Sequence, residues 1–219
     1  MVEPDPKEAA DLESKGYTVI ENLIGGRQGR AVLNIGYHGG TSSVLEPTGS
    51  FLEYYTSGNS QRFNVIDKIE LPMTTIKHIL EGKQLQLDYL KLDTQGNELE
   101  ILKGLGNFRP LIIKTEISFV PLYKDTALFY DIGQYLYGIG YVLFHMTYYA
   151  RSSPQQHVSR NPYSETLIPT HGDAWFCPDW TRREGQDMIK GRDRIYQALM
   201  ELFGMPAIHK YAQNHMERN

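Results

Sequence analysis

The hydrophobic pattern changes from strand to helix within the segment Leu87 to Leu105, LDYLKLDTQGNELEILKGL. The run Leu87 to Leu92 predicts a buried strand that ends at Asp93. From Asn97 onward, leucines recur at helical spacing on one face: Leu99, Leu102 and Leu105. A buried strand that passes directly into a helix is typical of sheets whose parallel strands are joined by crossover helices.

The same alternation of strand-like and helix-like stretches runs along most of the chain. Further strands are predicted at Tyr17 to Ile24, Arg30 to Ile35, Phe63 to Leu71, Leu111 to Ile117, Tyr141 to Met146 and Asp173 to Cys177. Further helices are predicted after Pro6, at Ile76 to Leu80, from Asp125 and in the tail after Trp180. The tail carries four apolar residues expected to dock it on the domain: Ile195, Leu199, Leu202 and Phe203. This order predicts an α/β domain with a mostly parallel sheet.

Composition excludes several classes of protein. At 219 residues and 41% hydrophobic content, the chain is long enough for one α/β domain with a real core. A net charge of -4 gives no electrostatic reason to expect nucleic acid as a partner. No apolar run approaches the roughly 20 residues needed to cross a bilayer, so no membrane partner is predicted. The single cysteine and the acidic N-terminus indicate a reducing, cytoplasmic setting.

In a sheet of this kind, ligands bind beyond the carboxyl ends of the parallel strands, so residues at those ends are candidates for a site. Asp93 is the first, although a carboxylate near a helix N-terminus is also stabilised by the helix dipole without any chemistry. Glu98 has the same two interpretations. Glu116 lies in an otherwise apolar strand, where a carboxylate is costly unless it is paired. It either has a partner such as Lys114 or faces the ligand crevice.

The segment Leu87 to Leu105 resembles the FkbM-type methyltransferases, whose hallmark has the form D-x-[LI]-K-[LI]-D-x-x-G-x-E-x-x-[VIL]-L-K-G. The matching positions are Asp88, Lys91, Asp93, Gly96, Glu98, Leu102, Lys103 and Gly104. Thr41 to Ser43 resembles the family's serine-rich turn, Glu116 to Tyr123 resembles the segment after its fifth strand, and GDAWFCPD resembles its closing strand. The resemblance extends to about Asp179. It implies a methyltransferase domain over residues 1–179 and a C-terminal helical extension over 180–219.

The resemblance implies a doubly wound, Rossmann-like class I methyltransferase fold and S-adenosyl-L-methionine as cofactor, with no metal site. The N-terminal residues Val2 to Pro6 resemble the family's EP-x-P segment at the end of the second strand, so Glu3 is expected to bind the ribose hydroxyls. Asn22 is expected beside the adenine, and Asp93 is expected at the methyl-transfer site. The implied reaction is O-methylation of a hydroxyl on a saccharide or another polar small molecule.

A general base would assist such a reaction by taking the hydroxyl proton. The candidates are Asp93, Glu116, His145 at the end of its strand and His171 just before the closing strand. A histidine has a suitable unperturbed pKa, although a lone histidine at a strand end is more often structural. The connection from Thr147 to Thr170 carries residues suited to sugars or to a solvated loop: Tyr148, Tyr149, Arg151, His157, Arg160 and Tyr163.

If Glu3 ends the second strand, the first strand and its glycine turn would lie upstream of Met1, so the domain is expected to be N-terminally incomplete. Val32 to Gly40, VLNIGYHGG, is an alternative glycine turn but an isolated cluster is a weak signal. Three functions therefore remain open at this point. The chain is an O-methyltransferase, a non-catalytic remnant or interaction module that keeps the fold, or an unrelated nucleotide-binding α/β protein.

Overall fold

A computed structural model describes residues 1–49, 61–152 and 168–217 of the chain. Its helices are α1 (Pro6–Ser14), α2 (Ile76–Lys83), α3 (Glu98–Lys103), α4 (Phe129–Gly138), α5 (Arg183–Ile189), α6 (Asp193–Leu202) and α7 (Pro206–Met216). Its strands are β1 (Leu23–Ile24), β2 (Gly29–Gly36), β3 (Val65–Thr74), β4 (Tyr89–Leu92), β5 (Ile112–Ser118), β6 (Tyr141–Ser152) and β7 (Ile168–Pro178). Short 3-10 turns lie at Gly39–Thr41 and Gln61–Phe63.

The larger sheet has the strand order β4-β5-β7-β6. Strands β4 and β5 are parallel, and α3 lies between them in the chain as a crossover helix. Strand β7 runs antiparallel to both of its neighbours, β5 and β6. As a result, the start of β7 lies at the same edge of the sheet as the ends of β4 and β5.

The smaller sheet has the order β1-β3-β2, with β1 parallel and β2 antiparallel to β3. The α/β class predicted from the sequence is confirmed, but the described strands form two mixed sheets rather than one mostly parallel sheet. The periodicity of a strand does not record its direction. Antiparallel neighbours such as β6 and β7 also need no crossover helix between them.

Several element boundaries differ from the prediction. The strand expected from Tyr17 shrinks to a parallel bridge between Val2 and Ile20 followed by the two residues of β1. The helix expected from Asp125 begins at Phe129, because Asp125 itself adopts a left-handed backbone with φ of 58°. Strands β6 and β7 extend beyond the apolar runs that predicted them.

The larger sheet is covered on both faces. One face, which includes Ile113 and Ile117 of β5, packs against α2, α3 and α4. The other face, which includes Ile112 and Cys177, packs against the helices of the tail. A strand buried on both faces has few polar positions, which is why β5 has an almost continuous apolar sequence.

The tail docks through part of the predicted face, since Leu199 and Phe203 pack against the core as expected. Tyr196 and Met200, one turn apart on α6, are fully buried, and Leu199 and Phe203 pack beside them. The predicted contacts Ile195 and Leu202 are 41% and 76% exposed, so that part of the prediction was wrong. Among the described residues, no helix combines the length and the apolar character needed to span a membrane.

Candidate functional site

Polar side chains from three strands meet at the carboxyl end of the β4–β5 pair. Asp93 directly follows β4, and Glu116 lies near the end of β5. In the antiparallel ladder of β5 and β7, Asp173 is opposite Glu116, and His171 is opposite Ser118. Together with the turn residue that joins two of them, they form what we call the edge cluster: Asp93, Gln95, Glu116, His171 and Asp173.

The turn from β4 to α3 has an unusual backbone that the sequence explains in part. Gln95 and Gly96 both have positive φ, at 57° and 103°. Glu98, only 3% exposed, folds back over this turn. Its carboxylate accepts hydrogen bonds from the Thr94 amide, the Thr94 hydroxyl and the Gly96 amide at 2.7, 2.9 and 3.0 Å. The turn is therefore fixed by a buried carboxylate from its own helix.

The Gln95 side chain joins the two carboxylates of the site. Its Nε2 donates to Glu116 Oε2 at 2.8 Å and to Asp93 Oδ1 at 3.2 Å. Its Oε1 accepts a hydrogen bond from the Tyr123 hydroxyl at 3.0 Å. Asp93 is also paired with Lys91, whose Nζ lies 3.3 Å from Oδ2. The two carboxylates are thus bridged by one amide.

Glu116 is the most strongly perturbed acid of the edge cluster. Burial, followed by repulsion from Glu98 and Asp93, raises its pKa to about 8, and the hydrogen bond from Gln95 acts in the opposite direction. Lys114, one of the two partners considered for Glu116, instead pairs with Asp173 at 3.2 Å. The partner of Glu116 is therefore the Gln95 amide and not Lys114, while its position in a ligand crevice stays a prediction.

His171 supplies a second proton-accepting group at the same edge. Burial lowers its pKa, against the opposing effect of the charges on Asp173 and Asp93, so the ring is neutral near pH 7. Its Nδ1 lies 3.0 Å from the Thr170 hydroxyl oxygen. His171 was predicted just before the closing strand, but β7 begins at Ile168 and includes it.

His145 lies elsewhere on the sheet. It was predicted at a strand end, but β6 continues to Ser152, so the prediction of its position was wrong. The predicted strand ended at Met146 because the apolar run ends there, whereas the remaining residues of β6 are polar or aromatic. The His145 ring contacts Trp175 at a tilt of 53° with centroids 4.9 Å apart, and the two residues are opposite each other in the β6–β7 ladder.

The serine-rich turn contacts the edge cluster directly. The Ser43 hydroxyl donates to the Gln95 carbonyl at 2.7 Å. The Tyr123 hydroxyl, which contacts the Gln95 amide, also lies 3.1 Å from the Thr41 carbonyl. The three segments singled out by the sequence, at residues 41–43, 87–105 and 116–123, therefore converge on a single turn.

Glu3 and Asn22 lie together at the N-terminal side of this turn. Glu3 donates its amide to the Ile20 carbonyl and accepts the Asp5 amide on its own Oε1 at 2.9 Å. Asn22 lines an open cleft against α2. The side-chain Nδ2 of Asn97 donates to the Ile24 carbonyl at 3.1 Å, which places this N-terminal segment beside the start of α3. Among the described residues, no hydrogen bond joins Glu3 or Asn22 to the edge cluster.

Other candidate chemistry receives less support from the structure. The described residues contain no group of three or more metal-ligating side chains placed to hold a metal ion. The alternative glycine turn at Val32 to Gly40 follows a strand that is antiparallel to β3 and leads into a 3-10 turn, not a helix. Three polar residues of the long connection lie outside the described residues: His157, Arg160 and Tyr163.

Sequence reasoning missed three residues of this arrangement: Gln95, Tyr123 and Asp173. The sequence did contain a signal for Asp173. It lies two positions from both His171 and Trp175 along β7, and residues two apart in a strand point to the same face of the sheet. The contact between Gln95 and Tyr123 spans 28 positions of the chain and leaves no periodic signal in the sequence.

Comparison with known proteins identifies one family. The sequence model of the FkbM methyltransferase domain matches residues 1–143 of the chain, which is more than half of its length. No curated protein and no solved structure matches the chain.

Proposed function

This chain belongs to the FkbM methyltransferase family, and we propose that it transfers a methyl group from S-adenosyl-L-methionine to a hydroxyl oxygen of a saccharide or another polar small molecule. The observation that carries the proposal is the edge cluster. It combines a partly buried acid of raised pKa, Glu116, with a neutral histidine, His171, at the carboxyl end of a parallel strand pair. That edge is where ligands bind in sheets of this type.

The cofactor supplies an electrophilic methyl group on a positively charged sulfur. The acceptor oxygen forms its bond to the methyl carbon while the carbon–sulfur bond breaks and its electron pair stays on sulfur. The hydroxyl proton must leave the oxygen in the same process. In this site, the ionised form of Glu116 or the neutral ring of His171 takes it. Holding the acceptor in line is the larger part of such catalysis.

Glu3, Asn22 and Asp93 carry the hydrogen-bonding groups that the polar parts of the cofactor require. Glu3 uses one oxygen for the Asp5 amide, and a carboxylate has further lone pairs for two ribose hydroxyls. Asn22 lines the open cleft next to Glu3 and offers amide groups for the adenine. Asp93 follows β4 directly and accepts a hydrogen bond from the same Gln95 amide as Glu116, and it would line the site of methyl transfer.

The charge of the site favours a small neutral or cationic acceptor over a nucleic acid. Three of the five residues in the edge cluster are carboxylic acids, and Glu98 adds a fourth directly beneath it. The two lysines at this edge, Lys91 and Lys114, are already paired with Asp93 and Asp173 and so are not available to bind the phosphates of a polyanion. Hydroxyl groups, in contrast, donate readily to carboxylate oxygens.

Calorimetric titration of the chain with S-adenosyl-L-methionine tests the cofactor assignment. We expect saturable binding that weakens at least tenfold in Asp93→Asn, while Asp67→Asn, an exposed carboxylate on β3, leaves the affinity unchanged. Transfer of a radiolabelled methyl group to a panel of saccharides would then identify the acceptor. A chain that binds neither the cofactor nor its demethylated product would instead be a non-catalytic member of the family.

A further inference from the structure

Gln95 occupies a backbone conformation that does not suit glutamine. Its φ of 57° lies in the left-handed region, where glycine and asparagine are the residues that fit with least strain. The conformation is held from outside, because the Ser43 hydroxyl donates to the Gln95 carbonyl at 2.7 Å. An unfavourable residue that is held so firmly suggests a task for its side chain.

The orientation of the Gln95 amide is determined by its neighbours. Asp93 is ion-paired with Lys91, and an ionised carboxylate only accepts hydrogen bonds, so the NH2 end of the amide must face it. The same NH2 group then reaches Glu116 at 2.8 Å. The opposite end, Oε1, meets the hydroxyl of Tyr123, a side chain that is 2% exposed. The orientation set by Asp93 thus places Oε1 against the Tyr123 hydroxyl, whose single proton is shared between Oε1 and the Thr41 carbonyl 3.1 Å away.

We propose that Gln95 is a positioning residue whose amide, oriented by Asp93 and supported at its other end by Tyr123, holds Glu116 beside Asp93 and sets the proton affinity of Glu116. That Glu116 acts in methyl transfer rests on the proposed function, whereas the control of its proton by Gln95 does not. The role requires a side chain of glutamine length, since it must span from Tyr123 to Glu116.

Several charged groups surround Glu116, but the hydrogen bond that favours its ionised form comes from Gln95. Those that face it come from β4, α3, β5 and β7: Lys91, Asp93, Glu98, Lys114, His171 and Asp173. The two lysines are engaged with Asp93 and Asp173. The Gln95 amide favours the ionised carboxylate, and its removal makes Glu116 bind its proton more tightly.

The test is a pH titration of the Glu116 carboxyl by carbon NMR on protein labelled at the glutamate side-chain carboxyl carbon, with Glu116→Gln used to assign the signal. In Gln95→Asn and Gln95→Gly, we expect the titration midpoint of Glu116 to move to higher pH. Both substitutions suit the left-handed backbone and should keep the turn folded, as far-ultraviolet circular dichroism would verify. Tyr123→Phe should shift the midpoint in the same direction by a smaller amount.

Gln84→Asn is the matched control, because Gln84 is an exposed glutamine with a similar left-handed backbone, φ of 53°, at the C-terminal end of α2 and outside the edge cluster. Its Glu116 midpoint should equal that of the wild type. Unchanged midpoints in Gln95→Asn and Gln95→Gly would overturn the proposal, as would an equal shift in Gln84→Asn. The titration uses no cofactor, so a failure of the chain to bind S-adenosyl-L-methionine would refute the proposed function alone.

Discussion

Glu98 holds the turn that precedes its own helix, since its Oε1 accepts hydrogen bonds from both the amide and the hydroxyl of Thr94 at 2.7 and 2.9 Å. Its Oε2 accepts the Gly96 amide at 3.0 Å. Burial raises the pKa of Glu98, while these hydrogen bonds oppose the shift. The first-turn position suggested a surface carboxylate that interacts with the helix dipole. In the structure, the side chain is buried and supports the backbone that carries Gln95.

Replacing Glu98 should destabilise the protein strongly. Glu98→Ala leaves three hydrogen-bond donors of the turn without their acceptor, and each buried donor left unsatisfied costs about 1–3 kcal/mol. We expect the free energy of unfolding to fall by at least about 2 kcal/mol, as measured by urea denaturation. Glu100→Gln is the control on the same helix. Its exposed pair with Lys103 should contribute less than about 1 kcal/mol.

Glu116→Gln should stabilise the protein in a pH-dependent way. The pKa of Glu116 is about 8 in the folded state against an ordinary value of 4.5, so the folded state holds one more proton than the unfolded state between these values. This contribution to stability is therefore lost as the pH rises from about 4.5 to about 8.

Glutamine does not titrate, so the variant should gain stability relative to wild type across this window and level off above it. The gain should reach a few kcal/mol, at about 1.4 kcal/mol per pH unit. Urea denaturation of both proteins between about pH 5 and about pH 9 measures this difference in unfolding free energy. A difference in unfolding free energy that stays constant with pH would show that Glu116 keeps an ordinary pKa.

The parts of this site that could be predicted are those recorded in local patterns. Hydrophobic periodicity located β4, α3 and β5, and the position of acids at strand ends singled out Asp93 and Glu116. What could not be predicted depends on the pairing of distant strands. The reversal of β7 brings His171 to the edge cluster, and the same pairing gives Lys114 a different partner, Asp173.

Lys114 and Asp173 should form an energetically coupled pair. Their side chains are only 20% and 15% exposed, and Lys114 Nζ also lies 4.7 Å from the centre of the Trp175 ring. Either single substitution, Lys114→Met or Asp173→Asn, leaves a mostly buried partner uncompensated and should cost roughly 2–4 kcal/mol. A double-mutant cycle should give a coupling energy of about 1–3 kcal/mol.

The exposed pair of Lys77 and Glu81, 3.8 Å apart on α2, provides the comparison for that cycle. Its coupling energy should be less than about 1 kcal/mol, because both side chains are half exposed and water screens their interaction. Equal coupling energies in the two cycles would mean that burial does not strengthen the Lys114–Asp173 pair.

Arg192 connects the tail to the base of the larger sheet. At the start of α6, its guanidinium donates to the Leu87 carbonyl at 3.0 Å, to the Arg109 carbonyl at 2.8 Å and to Asp88 Oδ1 at 2.6 Å. These acceptors immediately precede β4 and β5. Asp88 belongs to the hallmark segment of the family, so its partner in this protein lies in the tail beyond the residues that match the family model.

Arg192→Ala should loosen the tail before it affects the edge cluster at the opposite end of the strands. Loss of three hydrogen bonds, one of them to a carboxylate that is 33% exposed, should lower the free energy of unfolding by roughly 2–4 kcal/mol. Hydrogen exchange should accelerate in α6 and α7 more than in β5. Arg194→Ala, an exposed arginine on the same helix, should leave exchange unchanged. Exchange that stays unchanged in Arg192→Ala would show that the tail is held by its apolar contacts alone.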